Sequence, residues 1–297
     1  MAGDPLSNVL EVLGARMGRQ TRLEAAGRWA LDFPAVERLK FVAMLRGRQW
    51  LLLPGGAAHR LDEGDVCLIG RTAYRTASAL DVEPVDGQAL FAHDDFVRIG
   101  GADIVAIGGT VTVAPGLADF LLDVLPDFMM VPKAAAGSSS VATILTLLGA
   151  EIERDEVGGE VVSARLADVL LVEAIRACAG RMDGTGIGWL GALSHDRLGR
   201  ALRAIHADAA RPWTVATLAG VAGMSRAAFA AAFARSVGYT PLAYVRTWRL
   251  TVARAAMLRG GRTIGAMASE AGYGSQSAFG QAFKRAFGVS PGSVVRA

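Results

Sequence analysis

Two stretches near the end of the chain are variants of one pattern: Thr214–Pro241, TVATLAGVAGMSRAAFAAAFARSVGYTP, and Thr263–Pro291, TIGAMASEAGYGSQSAFGQAFKRAFGVSP. They share a frame once one residue is inserted after the central turn. Val215/Ile264, Leu218/Met267, Ala219/Ala268, Ala222/Ala271 and Gly223/Gly272 align before the insertion. Phe229/Phe279, Phe233/Phe283, Gly238/Gly288 and Pro241/Pro291 align after it. A repeat of this period makes each copy one supersecondary unit.

Each copy predicts helix, tight turn, helix. Thr214 and Thr263 are N-cap types ahead of short helices with apolar residues at i, i+3 and i+4. Ala222 and Ala271 are small where a second helix must cross closely, and Gly223 or Gly272 ends the first helix. Ser225 and Ser275 cap the second helix, whose Phe pair at i, i+4 anchors it inward. Gly and then Pro stop it. Helical hairpins in a plain bundle share the Ala/Phe spacing. Two in-register copies with Ser caps and Gly-x-x-Pro ends set this stretch apart from them.

Residues Asp196–Ala297 resemble the DNA-binding domain of AraC-type transcription regulators, two helix–turn–helix units joined by one long helix. The likeness rests on Pro212-Trp213-Thr214, Ala222-Gly223-Met224-Ser225, Gly272-Tyr273-Gly274-Ser275, Ala282-Phe283-Lys284-Arg285 and Gly288-Val289-Ser290-Pro291. Leu242–Leu258 matches the joining helix, with Tyr244, Trp248, Val252, Ala255 and Ala256 on its apolar side and Arg246, Arg249 and Arg254 as its charges. Charge supports the same conclusion independently. From Asp196 onward there are fourteen Lys/Arg against three Asp/Glu, a net +11, whereas the first 195 residues hold seventeen against twenty-five, a net −8. A basic domain gains free energy by displacing counterions from phosphates; an acidic one is repelled.

The 297 residues allow two cores. The expected division is a sensing and dimerising domain over residues 1–179, a glycine-rich linker over 180–192 and a DNA-binding domain over 193–297. No apolar run approaches the roughly 20 residues that span a bilayer. The start, MAGDPLSNVLEVLG, has an early Asp and no basic region, unlike a secretory signal. Cys67 and Cys178 give neither metal spacing nor a disulfide framework, which fits a reducing cytoplasm.

Along the first half, Pro5–Met17 carries a helical apolar face that needs cover from the following barrel or a second subunit. Arg28–Val113 reads as short strands: Trp29–Pro34, a hairpin of Phe41–Leu45 and Gln49–Leu53 about Gly47, then Val66–Ile69, Leu90-Phe91-Ala92, Asp103–Gly108 and Thr110–Val113. Gly100-Gly101 and Gly108-Gly109 are turn signals. Many short strands argue for a small barrel. Over residues 20–115 this resembles a cupin-type sensory domain, carried by Leu61–Ile69 and the hairpin before it. Metal-dependent cupins gather several His and a Glu. Here there are only His59 and His93, far apart, and Tyr74 and Arg75 follow Gly70 where a cupin often has its His. No metal or other cofactor is expected. Leu117–Leu125, Ser138–Glu153 and Arg165–Cys178 predict helices. The last is apolar on several sides, suited to burial between layers or to a partner chain; the resemblance implies a dimer contact. Leu193–Ala207 predicts the helix that docks on the first helix–turn–helix unit.

The fold class expected is therefore α+β: a cupin-like barrel with flanking helices, then an all-α double helix–turn–helix domain. DNA contacts are expected from Ser225, Arg226, Ala227, Ala230 and Arg235 in the first recognition helix and from Arg246 on the joining helix. Ser275, Gln276, Ser277, Gln281, Lys284 and Arg285 serve the second. An effector pocket is expected inside the barrel, among Phe41, Met44, Trp50, Leu52, Tyr74 and Phe91. The resemblance implies a homodimeric regulator of transcription, more often an activator, that binds double-stranded DNA, RNA polymerase and a small effector. Two other classes fit the same parts. A cupin-like enzyme with a DNA-binding appendage would need a metal set that this barrel does not show. A DNA-bending protein would need no effector.

Overall fold

The computed structural model describes residues 4–135, 139–154, 156–181, 188–260 and 262–296. In chain order the first elements are α1 Pro5–Leu13, β1 Arg16–Ala25, β2 Ala30–Phe33, β3 Lys40–Arg46, β4 Arg48–Leu52, β5 Ala58–Asp62, β6 Val66–Ile69 and β7 Tyr74–Ala77. Then come β8 Val85–Asp86, α2 Gly87–Leu90, β9 Phe96–Ile99, β10 Ile104–Thr112, α3 Ala118–Val124, β11 Phe128–Val131, α4 Ser139–Arg154 and α5 Gly159–Arg181. The remainder is helical: α6 Trp189–Ser194, α7 Asp196–Ala207, α8 Val215–Ala222, α9 Arg226–Val237, α10 Pro241–Arg259, α11 Ile264–Glu270, α12 Gln276–Phe287 and α13 Pro291–Arg296. The chain forms two compact units. One comprises residues 16–112 and 126–181; the other gathers 1–15, 113–125 and 182–297.

The first unit is two sheets rather than a closed barrel, in the orders β11-β6-β3-β10-β1-β9 and β5-β4-β7-β2-β8. The core lies between them, with Leu23, Leu31, Met44, Leu51, Leu61, Cys67, Ile69 and Ala106 among its buried side chains. β3 buries five consecutive residues because both its faces are covered. Val42 and Met44 enter the core, while Phe41 faces Leu170, Leu171 and Ala174 of α5. That helix pairs with α4 and packs on β1, β6 and β11.

Three strand assignments differ from the sequence expectation. β3 and β4 are not a hairpin: the chain passes at Gly47 from one sheet to the other. The turn after β5 crosses back, fixed by the Asp65 carboxylate, which accepts from the Asp62 and Lys133 amides at 2.9 and 2.8 Å. Leu90-Phe91-Ala92 is not a strand, since Leu90 ends α2, capped by Asp86. Gly108-Gly109 is no turn but the middle of β10. A Cβ at Gly109 would stand 2.5 Å from the Phe41 ring and 2.8 Å from the Arg19 carbonyl oxygen. These glycines serve close approach rather than a bend.

In the helical unit α1 packs its apolar face on α7, α10 and α3. Polar contacts fix the fit. The Trp189 indole N–H donates to the Tyr244 hydroxyl at 2.7 Å, and that hydroxyl lies 2.7 Å from His206 Nε2. His206 Nδ1 lies 3.1 Å from Asn8 Oδ1. Phe120 of α3 packs against the Tyr244 and Trp248 rings. The helix expected over Leu193–Ala207 is two, because the His195 imidazole caps α7 by accepting from the Arg197 and Leu198 amides. Half of the glycine-rich stretch at 180–191, residues 182–187, lies outside the described residues, as does Ser138.

Burial lowers the His206 pKa from 6.5 to about 3. The unfolded chain therefore binds the proton first, and the stability held above pH 6.5 is lost as pH falls towards 3. Denaturation followed by tryptophan fluorescence should show stability falling more steeply between pH 6.5 and 4.5 in the parent than in His206→Gln. Equal slopes would show that His206 does not titrate this way.

Candidate nucleic-acid interface

The first helix–turn–helix begins with a reciprocal cap. Thr214 Oγ1 accepts from the Thr217 amide at 3.1 Å, and Thr217 Oγ1 accepts from the Thr214 amide at 3.0 Å. Gly223 ends α8 at φ 64°, a left-handed conformation open to glycine at little cost. Ser225 starts α9 by accepting from the Ala228 amide, and the two helices meet at 86°. Ala222 is fully buried at the crossing, and Phe229 and Phe233 pin α9 from below. The second copy repeats the plan. Thr263 caps α11, Gly272 adopts φ 75°, Ser275 caps α12 through the Ala278 amide, and Phe279 and Phe283 are fully buried. Pro241 opens α10 at a position whose missing N–H costs nothing.

With the phenylalanines inward, the opposite faces are free. On α9 the residues Arg226, Ala227 and Arg235 are exposed and Ala230 is half-buried. On α12 the residues Gln276, Ser277, Gln281, Lys284 and Arg285 are exposed. Ser225 and Ser275 are also exposed, each with its hydroxyl oxygen engaged in a cap. Arg226, Arg235, Arg246, Lys284 and Arg285 form no ion pair among the described residues, so their charge is available to solvent.

The joining helix divides its arginines by role. Arg246 is exposed. Arg249 donates to the carbonyls of Ala209, Ala210 and Arg211, with nitrogen–oxygen distances of 2.6, 3.2 and 2.6 Å. Arg254 is buried, donates to the Pro115 carbonyl at 2.9 Å and lies over the Phe287 ring. Arg200, which sequence reasoning did not single out, donates to the Ala222 carbonyl at the end of α8. Nothing in its spacing distinguishes it from a solvated helix charge.

In the sheet unit Met44, Tyr74 and Phe91 share the core cluster, whereas Phe41 faces α5. Trp50 and Leu52 are half-buried and alternate with the inward Leu51. A cavity of about 60 Å³ lies beside Tyr74 and Phe91 and is also lined by Gln49 and Thr76. Both are buried polar residues that the sequence reading missed. Their signal was a polar residue in phase with Leu51 in one strand and with Tyr74 in another. Among the described residues there is no cluster of three or more His, Cys, Asp or Glu suited to a metal, and no single helix is long and apolar enough to cross a membrane.

Comparison with known proteins finds two family models in the chain. A cupin family model matches residues 4–180, and a helix–turn–helix domain model matches residues 218–297. A chain of Streptomyces antibioticus named as an AraC-like transcription regulator is 37% identical over 97% of both chains. The transcriptional regulator AlkR of Acinetobacter baylyi is 29% identical, again over 97% of both. Among solved structures, ToxT of Vibrio cholerae is 12% identical with a TM-score of 0.38, covering 95% of this chain and 97% of its own. Identity sustained through both halves, on a scaffold that repeats the helix–turn–helix, places this chain in the family of AraC-like, DNA-binding transcription regulators.

Proposed function

We propose that this regulator is an effector-responsive activator. It works as a homodimer that holds double-stranded DNA through both recognition helices and contacts RNA polymerase in the cytoplasm. Sensing and dimerisation fall to residues 1–179, the linker to 180–192 and DNA reading to 193–297. We assign it no catalytic activity, in keeping with relatives named as regulators. The observation that carries the DNA assignment is the pair of outward faces on α9 and α12. Both are exposed opposite fully buried phenylalanine pairs and carry unpaired cations.

The two faces differ in chemistry. Arg226 can pair with guanine through two hydrogen bonds, whereas Ala227 and Ala230 offer only methyl contact to thymine. Gln276 and Gln281 can each read adenine. Ser225, Ser277 and Ser275 are small polar groups near the helix starts. Arg235, Arg246, Lys284 and Arg285 suit the phosphate backbone, where charge positions the protein without reading sequence. On the sensing side, the interior of the sheet unit near Met44, Tyr74 and Phe91 is the effector site. Val161, Val162 and Val169, exposed on α5, support the dimer face.

Fluorescence anisotropy over a salt series tests the phosphate role. Lys284→Ala should weaken binding to operator and random duplex alike and flatten the log–log salt slope by about one unit. A loss confined to one sequence would instead assign Lys284 to base reading. Binding to operator variants tests the base readers. Gln276→Ala or Gln281→Ala should each cost about 1–3 kcal/mol at particular base pairs, and Arg226→Ala should relax preference at one guanine. Ala230→Ser should change little. Strong base preferences confined to the groove facing Ala227 and Ala230 would contradict this division.

A further inference from the structure

The inward positions of β4 are Gln49 and Leu51, so an amide stands where the strand pattern calls for hydrocarbon. Gln49 is 1% exposed, and its Oε1 has no hydrogen-bond partner among the described residues. A buried acceptor left unmatched destabilises a fold, and leucine in its place would carry no such penalty. The amide borders the cavity of about 60 Å³ between the sheets. Val42, Phe91 and Ala106 supply apolar wall, and Thr21 and Thr76 lie on the same cavity. No charged side chain among the described residues lines it. A charged guest would therefore shed its hydration without compensation.

The Phe33 and Tyr74 rings are stacked, with centres 4.8 Å apart and planes 13° apart. Both rings line the inner cavity and also a surface cleft of about 670 Å³. The stacked pair therefore forms wall common to the cleft and to the cavity beside Gln49. The inner space is well below the roughly 150 Å³ that admits benzene, so its guest has on the order of four heavy atoms.

We propose that this cavity selects small uncharged molecules bearing a hydrogen-bond donor, an alcohol or amide group, which donates to Gln49 Oε1. The inference rests on the reading of the sheet interior as the effector site. Four probes of nearly equal size separate the terms: acetamide and 2-propanol carry a neutral donor, acetone carries none and acetate is charged. Each is titrated into the full chain, with binding read from the methyl resonances of Val42 and Ala106. Acetamide and 2-propanol should give saturable shifts and bind roughly tenfold tighter than acetone, the worth of one neutral hydrogen bond. Acetate should give none. Gln49→Leu should remove the preference for 2-propanol over acetone, with a melting temperature no lower than the parent's. Acetone or acetate binding as tightly as 2-propanol would overturn the donor rule, as would a preference surviving in Gln49→Leu, while leaving the effector site standing. If none of the four moves these methyls, the effector reading of the cavity fails and the inference with it. Should Gln49→Leu not fold, the ranking of probes on the parent chain decides.

Discussion

The helical unit depends on one buried hydroxyl. Tyr244 is fully buried in the joining helix α10, and its oxygen meets Trp189 Nε1 and His206 Nε2 at 2.7 Å each. Indole N–H can only donate, so it donates to the hydroxyl. The hydroxyl in turn donates to Nε2, which leaves the imidazole proton on Nδ1, directed at Asn8 Oδ1. Every group in the chain is then satisfied by a neutral imidazole, the form that burial favours. The same tyrosine ring packs against Phe233 of the first recognition helix. One residue therefore ties α1, α6, α7, α9 and α10 together, and the bearing of α9 on the joining helix follows from it. Buried networks of this kind are costly when half-made, so they admit one arrangement and few others.

Around that hub the charges sort themselves by distance from the core. Arg249 and Arg254 spend their donors on backbone carbonyls of Ala209–Arg211 and Pro115, and burial disfavours their charged forms. Arg226, Arg246 and Lys284 remain exposed. A count of basic residues treats all of these alike. The structure separates those that fix the scaffold from those free to meet a polyanion. The recognition helices divide in a second way: α9 presents mostly methyl groups beside one arginine, whereas α12 presents amides and cations.

Much of the C-terminal half was legible because its signals are local. Caps at Thr214, Ser225, Thr263 and Ser275, left-handed glycines and phenylalanine pairs each act within one turn of helix, and all appear where their spacing places them. The sheet unit was less legible because its determinants are long-range. Gly47 reads as a hairpin turn, yet which sheet the next strand joins is settled by partners far away in sequence. Gly108-Gly109 reads as a break, but its cause is the Phe41 ring and the Arg19 carbonyl across two neighbouring strands. Likewise the apolar face of α1 was plain, while its cover on α7 and α10 required Asn8 to meet a histidine 198 positions away. The candidate site follows the same rule. Outward residues of α9 and α12 could be read from helical phase, but Gln49 and Thr76 became visible only once the two sheets were in place.

In the reading proposed above, α9 and α12, two helices of unequal chemistry joined through α10, read DNA together. Selection of bound duplexes from a random pool by the full chain, at one stated salt concentration, tests it most directly. The enriched site should hold two segments about one helical turn apart, roughly 10 base pairs centre to centre. The segment facing α12 should carry the sharper base preference. A single short segment, two segments at variable spacing, or no enrichment over random sequence would contradict that reading.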